Sequence, residues 1–399
     1  MNVSMAVVGN LPPLLFLTFH NTYGLSYTLL GLLVLLNFST QLAVDLIFSF
    51  FSHKFNIEKT VKFTPLIAVV GFSVFILLPT LMPSRALLGL ILGTVIFSAA
   101  SGLAEVLLSA VIAALPSDNP DRDMSKLHSI YAWGAVGVII FSSLFIFIFG
   151  ADKWQILTAL LTLIPLLSFV LYMGAALPEL NVGSDTSDGL DIFKSPAMWL
   201  GVIAIFLGGA LECTMAQWAS SFLEVSLGIP KLLGDVCGVA LFSLTLGVGR
   251  TLYTKFGKRI ERVLILGVVG AAICYLTAVF TSSAVVCLVA CALTGFSVSM
   301  LWPGNLIAVG ERVHGGVVMF ALMAAGGDLG ASIGPELVGV ITDVVSSSER
   351  MLSFAASLGI SGEQLGIKCG MLVGGIFALI AIPLYLALFL PRKKREEEN

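Results

Sequence analysis

The sequence predicts an all-α membrane protein whose twelve transmembrane helices form two pseudo-symmetric six-helix bundles. Three observations carry that expectation. Of 399 residues, 57% are hydrophobic and 11% charged, well under half the charge of an ordinary soluble domain. The apolar residues gather into runs long enough, at about 1.5 Å per helical residue, to cross a hydrocarbon core of about 30 Å. A polar segment near the middle divides those runs into two sets of six.

In the first set the runs fall at 2–20, 27–52, 62–81, 86–115, 128–150 and 154–177. The first is polar for a span, with Asn2, Ser4, Asn10, Pro12 and Pro13. Neither the basic lead-in nor the cleavage site of a signal peptide is present, so this run is expected to be retained. The second carries Asn37, Gln41 and Asp45 at four-residue steps, one polar stripe on a helix. Asn37 and Gln41 line a cavity on this reading, the competing one being bonds to neighbouring helices. Asp45 lies nearer the cytoplasmic end, where it can brace a helix terminus or gate.

The fourth run, 86–115, is the most informative. Ser98, Ser101, Glu105 and Ser109 share one helix face, while Leu92, Val95, Ile96, Leu103 and Leu107 cover the others. A carboxyl group at mid-bilayer costs about 3 kcal/mol on insertion scales, so that face is expected to look inward and Glu105 to carry protons or substrate. The fifth run opens on His128 and carries Tyr131 and Trp133.

Between the sets, 178–195 includes Asn181, Gly183, Ser184, Asp185, Thr186, Ser187, Asp188 and Gly189, a composition that cannot bury a core. It is the expected cytoplasmic linker between an N-terminal bundle, 1–177, and a C-terminal bundle, 196–391, with 392–399 a charged cytoplasmic tail.

The second set falls at 197–223, 232–254, 262–282, 284–309, 316–345 and 366–390. Glu212 lies in the first of these. No basic partner is expected for it, because Arg250 is assigned to the inner end of the next span; a desolvated, unpaired acid can hold or release a proton near neutral pH. Trp302 and Asn305 lie in the tenth run. The eleventh sets Asp328 among Gly326, Gly327, Gly330, Ala331 and Gly334, small residues that allow close helix packing. Trp and Tyr faces can cover the apolar face of a sugar ring, and Asn and Gln can serve its hydroxyls. Interface anchoring is the rival reading for the tryptophans.

Lys and Arg set the orientation. With both termini cytoplasmic, sixteen of the 21 fall on the inner side and five on the outer, the bias expected of a positive-inside protein. The net charge of −3 gives no reason to expect nucleic acid. The six cysteines contain no C-x-x-C pair, which argues against zinc or a disulfide framework. No nucleotide loop, metal cluster or nucleophile arrangement points to an enzyme, and no cofactor is expected.

The two halves also resemble each other. Lys54, Phe55 and Asn56 follow the second span, and Lys255, Phe256 and Gly257 follow the eighth. Over its whole length the chain resembles the major facilitator superfamily, whose loop signature after the eighth span is met by Lys255, Gly257, Lys258 and Arg259, with Arg250 and Thr254 departing from it. Within that superfamily it is most similar to the fucose permease-like sugar:proton symporters, through His128, Ser129, Tyr131, Trp133, Gly134 and Gly137, the Glu105 span, Trp302 to Gly304, and Gly330, Gly334 and Pro335. The resemblance implies the major facilitator fold and a span-four Glu, here Glu105, tied to substrate and proton. The family's first-span Asp has no counterpart in Asn10 to Pro13.

The expectation is therefore a proton-coupled importer of a small neutral polyhydroxylated solute such as a sugar, working by alternating access, with proton-driven efflux of a drug or metabolite as the alternative. Proton coupling is assigned to Glu105, Glu212 and Asp328. Solute binding is assigned to Glu105 and Glu212 with Asn10, Asn37, Gln41, Tyr131, Trp133, Trp302 and Asn305, and gating to Asp45, Lys54, Arg250, Lys255 and Arg259. A monomer in a bacterial-type plasma membrane, with the lipid bilayer, solute and protons as partners, completes the reading.

Overall fold

Stretches this apolar satisfy their backbone groups inside lipid only as helices or closed barrels, and here they are helices. The computed structural model describes residues 1–51, 55–116, 120–177, 194–256, 259–310 and 316–389. The helices of the first half are α1 (Asn2–Leu14), α2 (Phe16–Tyr23), α3 (Tyr27–Phe51), α4 (Ile57–Leu81), α5 (Ala86–Ala114), α6 (Pro120–Phe149) and α7 (Trp154–Met173). Those of the second are α8 (Pro196–Leu227), α9 (Lys231–Leu233) leading through a π-helical stretch, Gly234–Ala240, into α10 (Leu241–Phe256), then α11 (Ile260–Phe280), α12 (Ala284–Val298), α13 (Pro303–Gly310), α14 (Gly316–Ser347), α15 (Glu349–Ser357) and α16 (Gly362–Phe389).

Every predicted apolar run is occupied by helix. Among the described residues ten helical segments are long and apolar enough to cross a membrane, and the α1–α2 pair makes an eleventh. The remaining run, 128–150, belongs to α6, whose apolar stretch among those residues is Trp133–Phe149. Most of the expected linker, 178–193, and the tail lie outside the described residues. Ser195 caps α8 by accepting a hydrogen bond from the Met198 amide.

Two spans are broken rather than continuous, and proline accounts for both. α1 and α2 meet at 48°, because Pro12 and Pro13 have no N–H to continue the ladder. Pro13 would have bonded to the carbonyl of Gly9; Gln217 of α8 does so instead, its Nε2 3.3 Å away. The tenth span is interrupted between α12 and α13, where Trp302 occupies the turn before Pro303. The amphipathic α15, unforeseen in the sequence, follows α14 with most of its residues exposed.

Helices from before the linker meet those after it along three seams: α3 on α14, α6 on the π-helical stretch, and α1 on α8. Glycines let backbones approach. At the α3–α14 seam a Cβ at Gly339 would collide with the Tyr27 carbonyl of α3, and within the second half one at Gly330 would collide with the Phe206 carbonyl of α8. At the end of the α3–α14 seam, the Asp343 carboxylate accepts hydrogen bonds from the amides of Tyr27 (3.1 Å) and Thr28 (2.6 Å). It caps α3 from the other half of the chain. The Tyr27 hydroxyl donates to Glu363 of α16 at 2.5 Å, and the His20 ring stacks on Tyr27. This face of the molecule is closed.

Candidate functional site

Polar groups on a membrane helix are stable when they meet each other or water, and α5 shows both. Ser98 is fully buried and donates to Asn37 Oδ1 of α3 at 2.6 Å; Gln41 Nε2 donates to the same oxygen at 3.1 Å. Two turns further along the same face Glu105 is exposed. It lies about 100° or more round the helix from the exposed Leu88–Leu92 stripe, so its exposure is to the interior. Among the described residues no hydrogen bond or ion pair reaches its carboxyl group.

Six helices converge on this point. The Tyr131 hydroxyl of α6 lies within electrostatic range of Glu105 (α5), Glu212 and Cys213 (α8), and Arg250 (α10) at once. Cys213 is in turn within range of Asp328 on α14. Gly9 of α1 faces the same hydroxyl, since a Cβ there would lie 3.2 Å from it.

Arg250 overturns the expectation of an unpaired Glu212. Its Nη2 is 3.2 Å from both Glu212 carboxylate oxygens, and its Nε donates to the Ser299 carbonyl at 3.0 Å. The long Arg side chain and the break at the end of α12, which frees the Ser299 carbonyl, carry the guanidinium into the centre. It is therefore not positioned as a gate at the helix end.

Other assigned residues separate. Trp133 is 69% exposed on a stripe with Ile140, Phe141, Leu144 and Ile148, about 160° round α6 from Tyr131; it faces lipid, not the centre. Asn305 is fully buried, donating to the Leu301 carbonyl and to Tyr385, which itself bonds to the Ala204 carbonyl. That chain ties α13, α16 and α8 together away from solvent. The Trp302 ring packs over Gly327 and Gly209, wedged between α14 and α8. Asn37 is buried in the α3–α5 network with Gln41, the inter-helix bonding that rivalled cavity lining, and Asn10 turns its amide onto the Ala6 carbonyl at 2.8 Å. Lys255 and Arg259 are exposed at the ends of α10 and α11. Lys54 and the side chain of Asp45 lie outside the described residues.

Cys213 and Asp235 had no sequence signal to single them out. Asp235, fully buried, accepts from Ser143 of α6 at 2.8 Å and from Ser220 of α8, with Lys231 at 3.4 Å. It stitches the α6 seam shut.

A helical membrane body with charged and phenolic side chains gathered where its two halves meet defines a multi-pass transporter. The chain belongs to the Major Facilitator Superfamily, whose family model matches residues 1–335. Its fold is similar to a bacterial homolog of the human lysosomal transporter Spinster in an inward-facing, occupied conformation, at 13% identity and TM-score 0.73 over 97% of this chain and 94% of that one. It is similar also to the nucleoside transporter NupG, at 14% identity and TM-score 0.70 over 98% and 99%. The D-xylose-proton symporter aligns at 14% and 0.71 over 96% of each chain, and the E. coli fucose:proton symporter FucP at 15% and 0.58 over 95% and 96%. No curated protein sequence matches the chain.

Proposed function

We propose that this transporter imports a small neutral polyhydroxylated solute, of the sugar class, together with protons, by alternating access about the Tyr131 centre. The observation that carries the reading is the meeting of Glu105, Glu212 and Arg250 around one phenol. Glu212 and Arg250 neutralise each other, so Glu105 and Asp328 set the charge of the centre and disfavour an anion. Guanidinium, carboxylate and phenol together present both donors and acceptors, which is what a ring of hydroxyls requires. Glu105, exposed to the interior and without a partner among the described residues, is the group free to exchange a proton when the solute arrives. Sugar–proton symporters among proteins of like fold agree with this reading.

Purified protein in liposomes, offered hexoses, deoxyhexoses and polyols with and without an imposed pH gradient, tests it. Gradient-driven accumulation with acidification of the lumen is expected for at least one class. Glu105→Gln should abolish accumulation and leave solute counterflow. Accumulation by that variant at the wild-type level, or no response to the gradient, overturns the reading.

A further inference from the structure

We propose that Glu336 is a second proton-binding site at the α3–α14 seam, whose protonation favours the closed seam. For its link to transport the proposal rests on proton coupling as read above; the site itself stands on the seam.

Along α14, Asp328, Ser332, Glu336 and Asp343 form one polar stripe at helical spacing, and it lies against α3. Ser332 meets Ser39 at 3.5 Å, the Glu336 carboxyl reaches Gly31, and Asp343 caps Tyr27 and Thr28. The two acids toward the closed face are treated differently. Asp343 receives two backbone N–H donors. Among the described residues no donor reaches Glu336: its Oε2 is completely buried without a hydrogen-bond partner, while the residue as a whole is half-buried. A Cβ at Gly31 would stand 2.7 Å from that oxygen, so the glycine makes the room the carboxyl group occupies.

A charged carboxylate with an orphaned buried oxygen is several times costlier than a neutral acid in the same place. The group with electrostatic influence on Glu336 is Asp343, a like charge on its own helix. Around Tyr27 of α3 stand Asp343 itself, Glu224 from α8 and Glu363 from α16, with His20 of α2 beside Glu363. Among the described residues no Lys or Arg faces Glu336 from α3, α8 or α16. The closed seam thus favours the acid over its anion; separation of α3 from α14 would wet the buried oxygen and release the proton. Glu336 lies about 12 Å along α14 from Asp328, between the centre and the closed face.

The test uses the full-length protein in lipid nanodiscs and two readouts that need no solute. A hydrophobic carbodiimide, which adds to protonated carboxyl groups, should label Glu336, with labelling falling as pH rises. Spin labels at the exposed Asn21 and Ser347 should move apart as pH rises in the otherwise wild-type protein and stay close at every pH in Glu336→Gln, whose side chain cannot ionise. No labelling of Glu336 at any pH, or an unchanged pH response in Glu336→Gln, overturns the proposal. Both responses without gradient-driven solute uptake would support the site and overturn the coupling reading instead.

Discussion

The Arg250 guanidinium lies 3.2 Å from both oxygens of Glu212, so the acid of α8 and the base of α10 form one unit at the centre of the molecule. The two side chains retain 20% and 42% exposure, and water screens the pair without separating it. This changes which acid is held: among the described residues Glu105 stands without a partner, while Glu212 is paired.

Neutralising either member should therefore be worse than neutralising both. Glu212→Gln or Arg250→Gln alone is expected to cost about 1 to 2 kcal/mol of stability by leaving a charge uncompensated, and the double variant should recover most of it. Thermal unfolding midpoints of the four proteins in one detergent measure the cycle. Additive losses would show that the pair is not an energetic unit.

Tyr131 and Trp133 sit two residues apart and face opposite ways, which makes them a matched control. Tyr131→Phe should weaken solute affinity by roughly tenfold, about one hydrogen bond to a charged or hydroxylated partner, with expression unchanged. Trp133→Leu should leave transport at the wild-type level, because the ring meets lipid. Equal loss in the two variants would place both rings on the same side of α6.

Close helix approach makes a strong prediction on α14. A Cβ at Gly330 would run into the Phe206 carbonyl, whereas at Gly137 nothing lies within 4 Å. Gly330→Ala is expected to destabilise by about 1 to 3 kcal/mol through overpacking against backbone that cannot yield. Gly137→Ala should be neutral or slightly stabilising, since alanine is the better helix former. Melting curves of the two variants side by side decide it.

The cap on α3 supplies the last prediction. Asp343→Ala leaves the Tyr27 and Thr28 amides without their acceptor and should cost about 1 kcal/mol. The loss should fall on the closed state, so a thiol introduced at Ser39, deep in the α3–α14 seam, should react faster with a membrane-impermeant maleimide in this variant. An unchanged rate would mean the seam is held without the cap.

Much of the architecture could be read from the chain because lipid enforces it. A hydrocarbon layer sets a minimum run length and admits few charges, so all twelve runs coincide with helix. The stripe of Ser98, Ser101 and Glu105 could be read for the same reason, since polar groups on one face of a span have to turn away from lipid. The break in the first span was implicit in Pro12 and Pro13, but its direction was not; that depends on Gln217, distant in sequence, taking over the Gly9 carbonyl.

What the linear chain determined by itself was a helical membrane body with an acid on a polar face of its fourth span. Only the tertiary structure decided the partners: that Arg250 reaches Glu212, that Asn305 and Trp302 are packed as struts, and that the Glu336 carboxyl lies against Gly31. The division has a physical cause. Span length, polarity and helical face are set within one segment by its surroundings, whereas a partner across a seam depends on crossing angle, depth and side-chain reach, which the segments settle only when packed together.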